Sequence, residues 1–226
     1  MNAKWGLGPC LTLALAASLA AADYRVEILR EGPPVEDLAA EIAQELESEG
    51  VRLIRGSTAT YCDIWLCKEP AAVAGFSPSA EIQYPFQPGQ LIGVARFSRR
   101  GADFRDQKVP EGVYTIRYAL QPQDGSHVGT FSTRDFLLLA KAVDDKSAGI
   151  VADSESLHKR SSAAVETSHP AMFPLVKPTA ESGQSPTLTH DEDHDWWILQ
   201  GQMRVKVNDV VQPLDLAAVV VGVAEE

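Results

Sequence analysis

Val113-Tyr114-Thr115-Ile116-Arg117-Tyr118-Ala119-Leu120 alternates in one register: Tyr114, Ile116, Tyr118 and Leu120 fall on one side, Thr115 and Arg117 on the other. On an extended chain successive side chains point to opposite faces, so this octet describes a strand with one buried face. Pro110-Glu111-Gly112 supplies the turn that leads into it. The same period of two recurs in both directions. Upstream, residues 24–29, 51–55, 60–67, 80–86 and 91–97 read as strands. Downstream, residues 134–140, 196–207 and 210–223 do. Asn208-Asp209 makes a tight hairpin between the last two, and Gly201 marks a bulge. Arg96 and Arg117 take outward positions suited to cross-strand pairs.

Two segments break this rhythm. After Pro33-Pro34, residues Val35, Leu38, Ile42 and Leu46 recur at helical spacing, Glu36 and Asp37 suit the positive end of the helix dipole, and Gly50 stops it. An N-terminal amphipathic helix is expected over residues 35–49. Residues 141–189 are rich in Lys, Ser, Ala and Pro, with a helix over 154–165 anchored by Leu157 and Val165, and a linker over 177–186. Turn signals between many strands, without strand–helix–strand alternation, predict a mainly β fold. The expected architecture is an antiparallel β-sandwich or jelly-roll-like core. Its organisation is 1–22 signal peptide, 23–50 strand plus helix, 51–140 core, 141–189 helical and linker excursion, and 190–226 C-terminal strands completing the sandwich.

The signal peptide rests on order. Lys4 gives a basic start, residues 5–19 are almost wholly apolar or small, and Ala20-Ala21-Ala22 offers a cleavage site before Asp23. The apolar run is too short for a membrane span, as is that at 216–223. A periplasmic or extracellular location follows, with no stable membrane insertion after cleavage. Net charge is −11, and loss of Lys4 makes the mature chain one unit more negative. Such a surface repels nucleic acid and anionic lipid. Cys62 and Cys67 lie in one strand on opposite faces, so no local bridge is expected unless the strand breaks; Cys62 reads as a buried thiol beside Ile64 and Leu66, and Cys67 as one near the strand end.

Chemistry concentrates in His190-Asp191-Glu192-Asp193-His194-Asp195, followed by Trp196-Trp197. His190, Glu192 and His194 share a face on an extended chain. Two imidazoles and a carboxylate can hold copper or zinc, with His127 and His169 as further ligands. The same residues also read as an acidic loop entering a strand. Trp65, Trp196 and Trp197 are candidate platforms for a sugar ring, or plain packing. Adjacent Trp196 and Trp197 must point to opposite faces. Weaker catalytic readings are a thiol nucleophile at Cys62 or Cys67 and a carboxylate pair among Asp103, Asp106 and Glu111. No GxSxG elbow or phosphate-binding glycine loop is present.

Several phrases occur in a fixed order: Cys62-Asp63-Ile64-Trp65-Leu66, Tyr84-Pro85-Phe86-Gln87-Pro88-Gly89, Pro110-Glu111-Gly112-Val113-Tyr114, Gln121-Pro122-Gln123-Asp124-Gly125-Ser126-His127, Ser168-His169-Pro170 and His190-Asp191-Glu192. Together they resemble a group of uncharacterised secreted β-rich proteins of environmental bacteria, over roughly residues 51–221. The resemblance implies export and a single β-rich unit, and carries over no activity and no catalytic residue. The expected function is a non-enzymatic exported protein that binds an unknown small ligand, a glycan or an envelope protein, or serves an envelope-structural role. Metal binding and carbohydrate binding are the alternatives.

Overall fold

The computed structural model describes residues 23–122, 131–179 and 185–224. The expected leader, His127 and the middle of the linker lie outside them.

In chain order the elements are β1 (Tyr24–Leu29), a six-residue helix α1 (Ala40–Glu45), β2 (Gly50–Arg55), β3 (Ala59–Leu66), β4 (Leu91–Phe97), the short β5 (Gly101–Ala102) and β6 (Lys108–Val109), and β7 (Gly112–Leu120). Then come β8 (Asp135–Lys141), helix α2 (Ser154–Val165), β9 (Met172–Pro174), β10 (Thr187–Asp191), β11 (Trp196–Val207) and β12 (Val210–Val221). The protein is mainly β, built on a large curled antiparallel sheet of order β1-β2-β3-β4-β7-β8-β9. A three-stranded sheet, β10-β11-β12, and the small β5-β6 pair accompany it.

The alternation has its expected effect on one face. Cys62, Ala95, Ile116, Leu137, Leu139 and Phe173 of the large sheet share one cluster with Met203, Val205, Leu216, Ala218 and Val220 of the small sheet. The sheets also touch through backbone. Leu175 of the large-sheet side bridges Ala218, the Val176 N–H donates to the Ala217 carbonyl at 3.0 Å, and β10 lies beside β1. The Tyr84 hydroxyl reinforces this seam by donating to the Val176 carbonyl (2.7 Å) and accepting the Ala217 N–H (2.9 Å).

The other face of the large sheet is covered too, which corrects the expectation that Arg117 points to solvent. Helix α2 lies over β8 and buries Leu157 against Ala119 and Leu138. Arg117 is fully buried there. It pairs with Asp145 and donates to the carbonyls of Gly89, Ser147 and Gly149. Arg96 does form the cross-strand pair expected of it. Arg52, Asp63 and Arg96 are register partners on β2, β3 and β4, and the buried Asp63 carboxylate receives both guanidiniums, at 2.6 and 2.8 Å.

The N-terminal helix over residues 35–49 does not form. A single 3-10 turn (Val35–Asp37) is separated from α1 by extended residues, and α1 ends at Glu45. Tertiary pairing overrides the helical spacing: Leu46 bridges Cys67, and the Glu47 N–H donates to the Leu66 carbonyl at 2.9 Å. Ile42 and Leu46 still bury, against Cys67, Leu91 and Val94, while Val35 is exposed. Residues 80–86 are not a strand either. The N–H groups of Gln83 and Tyr84 go to the Asp135 carboxylate, and Pro85 has no N–H to give. Gly201 is in register; the irregularity in β11 falls between Trp197 and Ile198. The strands β9 and β10 had no clear alternation to announce them. Helix α2, by contrast, occupies the expected residues, capped by the Asp153 carboxylate on the Glu155 N–H.

Candidate functional site

The histidine–acid cluster folds into the β10–β11 turn. Register places His190 opposite Trp197 and Asp191 opposite Trp196. His190 stacks on Trp197, with ring centroids 4.5 Å apart, and its Nε2 lies 2.8 Å from Asp195. His194 stacks on Trp196 at 4.4 Å, and its Nδ1 lies 2.9 Å from Asp191. The imidazole of His194 holds the Asp191 carboxyl below its ordinary range. The two histidines therefore serve different tryptophans and different acids. Glu192 is exposed at the tip, and His169 sits in a separate exposed loop after α2. Among the described residues, no three His, Cys, Asp or Glu side chains gather in a way that holds a metal ion. The expected copper or zinc set of His190, Glu192, His194 and His169 is not assembled in this arrangement, and His127 lies outside the described residues.

The three tryptophans also separate. Trp65 is fully buried, which removes it as a sugar platform. Its indole N–H donates to the Glu31 carbonyl (3.0 Å), and the Arg96 guanidinium lies over its ring at 5.1 Å. Trp196 and Trp197 are half-buried and lead to different neighbours. Trp196 packs with Phe104 and Phe131, and its N–H donates to the Val223 carbonyl. Trp197 packs with Tyr24, at 5.4 Å.

The structure buries both candidate thiols and Asp103, and leaves Asp106 and Glu111 exposed. Cys62 and Cys67 are free and buried on opposite faces of β3 and the residue following it, as their odd spacing implies. Burial pushes the Cys67 thiol up to about 12, and that of Cys62 higher still. Such thiols are poor nucleophiles. Asp103 is buried and fully occupied. It accepts the N–H groups of Arg105, Gln107 and Met172 and the Gln107 carboxamide, so it organises a loop. Burial raises its carboxyl above the usual range.

The site that sequence reasoning missed lies between the two sheets. It is a cavity of about 140 Å³. One wall is Cys62, Ile64 and Leu66 of β3 with Ala95 and Phe97 of β4; the facing wall is Leu199 of β11 with Leu216, Ala218 and Val220 of β12. Gln200 and Gln202 carry the only polar side chains of its lining among the described residues. Val51, Ile64, Leu66 and Leu199 are only partly buried. Gly201 accounts for the space. Along β11 the inward series is Leu199, Gly201, Met203 and Val205, and at Gly201 a side chain is missing. An added Cβ there would meet nothing nearer than Pro186, at 3.7 Å. The signal was present in the sequence, as a glycine interrupting an apolar series.

Comparison with protein-family models, with curated proteins and with solved structures returns no match to this chain. Among the described residues, no helix is long and apolar enough to cross a membrane.

Proposed function

We propose that this is a non-enzymatic, exported binding protein that takes a small apolar ligand between its two sheets. The observation that carries the reading is the carbon-lined cavity of about 140 Å³ beside Gly201. A cavity of comparable size lined by Leu, Ile and Phe, ~150 Å³, stays dry and accepts benzene. Burying apolar ligand surface here contributes ~25 cal/mol per Å² before the costs of binding. The space suits one aromatic ring or a short alkyl segment. On this reading the two sheets are the facing layers of a β-sandwich. Export is supported by the leader-like order of residues 1–22, with the periplasm or the exterior as destination.

Toluene is the probe that tests it. Methyl resonances of Ile64, Leu199 and Val220 are expected to shift in a saturable one-to-one titration, and the melting temperature to rise with toluene concentration. Gly201→Leu, which fills the space, is expected to abolish both responses while remaining folded. Unshifted methyls with the native protein, or an undiminished response in Gly201→Leu, refutes the reading.

A further inference from the structure

A second cleft, of about 530 Å³, opens beside the β10–β11 turn and shares no lining residue with the interior cavity. Its volume falls in the ~300–1,000 Å³ range of small-molecule sites. One wall is aromatic. Tyr61, Tyr24 and Trp197 follow one another at centroid distances of 5.5 and 5.4 Å. Three cations line the same cleft: Arg55 at the end of β2, Arg100 just before β5, and Lys108 at the start of β6. All three are exposed.

The charge pattern is what distinguishes this cleft. On a chain of net charge −11, cations are normally consumed by neighbouring acids. Arg52, Arg96, Arg117 and Arg134 each have a carboxylate partner. Among the described residues, no ion pair joins Arg55, Arg100 or Lys108 to an acid. The lining also holds two acids, Asp106 and Asp195, the latter 2.8 Å from His190 Nε2, so cations outnumber acids three to two. Asp103, on the same loop, is buried and does not line the cleft; its carboxylate accepts the N–H groups of Arg105, Gln107 and Met172. The result is a small local excess of positive charge on a molecule that otherwise repels anions.

We propose that this cleft binds a carboxylate-bearing sugar of the uronic acid kind. The cations meet the carboxylate by charge-assisted hydrogen bonds, Arg55 from its place over the Tyr24 ring, and the partly exposed aromatic surface of Tyr24 and Trp197 in the lining packs against the apolar side of the sugar ring. A bare inorganic anion would leave the aromatic wall unused, and a neutral sugar would leave the cations unused. This site is independent of the apolar cavity, and the two readings stand or fall separately.

The test is calorimetric titration with trigalacturonate and with neutral cellotriose at low and moderate salt, on the native protein and on Arg100→Ala/Lys108→Ala. The native protein is expected to favour trigalacturonate at least tenfold, with affinity falling as salt rises. The double variant is expected to lose at least tenfold while keeping the native melting temperature and the toluene response of the interior. A preference under tenfold, a salt-independent affinity, or a double variant that binds like the native protein overturns the proposal.

Discussion

Arg117 and Asp145 form a two-pronged ion pair that neither side chain shares with solvent: Nε lies 2.6 Å from Oδ2, and Nη2 lies 2.9 Å from Oδ1. Thr115, two residues earlier on the same face of β7, adds its hydroxyl to Oδ2 at 2.6 Å. The remaining donors of Arg117 hold three carbonyls, so the pair fastens the 144–151 segment onto the sheet ahead of α2.

Removing Arg117 leaves the buried Asp145 carboxylate with only the partly exposed Arg160 guanidinium, 3.7 Å away, as a cation partner among the described residues. Arg117→Met is expected to cost about 3–5 kcal/mol in urea unfolding, and Arg117→Met/Asp145→Leu to recover part of it, because a paired desolvation cost disappears with the pair. A single-variant loss below about 1 kcal/mol would show the pair to be incidental.

Asp135 joins the coil at 83–84 to β7 through one carboxylate, accepting the Tyr118 hydroxyl (2.6 Å) and the N–H groups of Gln83 and Tyr84. Asp135→Asn replaces an acceptor oxygen by a donor and is expected to cost about 1–3 kcal/mol. Burial raises this carboxyl above its unfolded value of 3.8. Its titration therefore favours the folded state most at pH below 3.8, and that contribution is lost as pH rises through the folded value. The asparagine variant should lack this component when unfolding is followed from pH 3 to 7.

Both thiols are predicted to be silent in the folded protein. Iodoacetamide at pH 8 should leave Cys62 and Cys67 unmodified by site-resolved mass spectrometry, and label both in denaturant. Because the Cys67 thiol rises from 9.0 to about 12, its stabilising contribution is complete below pH 9 and is lost as pH climbs from 9 toward 12. Cys67→Val should flatten that alkaline limb. Labelling of either cysteine in the native protein contradicts the burial described.

The β11–β12 hairpin turns on two left-handed residues, Asn208 (φ 47°) and Asp209 (φ 64°). Asp209→Gly is expected to stabilise by about 0.5 kcal/mol, and Asn208→Val to destabilise by about 1–2 kcal/mol, since a β-branched residue resists that conformation. Thermal unfolding at fixed pH measures both.

Gly201→Ala should raise stability by about 0.5–1 kcal/mol, because the strand loses a flexible residue and the new methyl has room. A destabilised alanine variant would mean that the methyl group at position 201 has no room beside Pro186.

The sequence alone determined the alternating strands, including Leu91–Phe97 and Trp196–Val207, the Asn208-Asp209 turn, the helix Ser154–Val165, and the separation of Cys62 from Cys67. These depend on neighbours in the chain, where side-chain direction and turn conformation are local properties. Only the tertiary structure decided what covers each face. Arg117 reads as a surface residue, and Trp65 as either a platform or a packed ring, until the 144–151 segment and the Glu31 backbone are folded over them. The helical spacing of Val35, Leu38, Ile42 and Leu46 gave way because Leu46 found a strand partner in Cys67. His190 and His194, four residues apart, were drawn to opposite partners by adjacent tryptophans. Period two reveals which residues share a side; which side meets another layer, and where Gly201 leaves that meeting incomplete, follows from contacts between residues far apart in the chain.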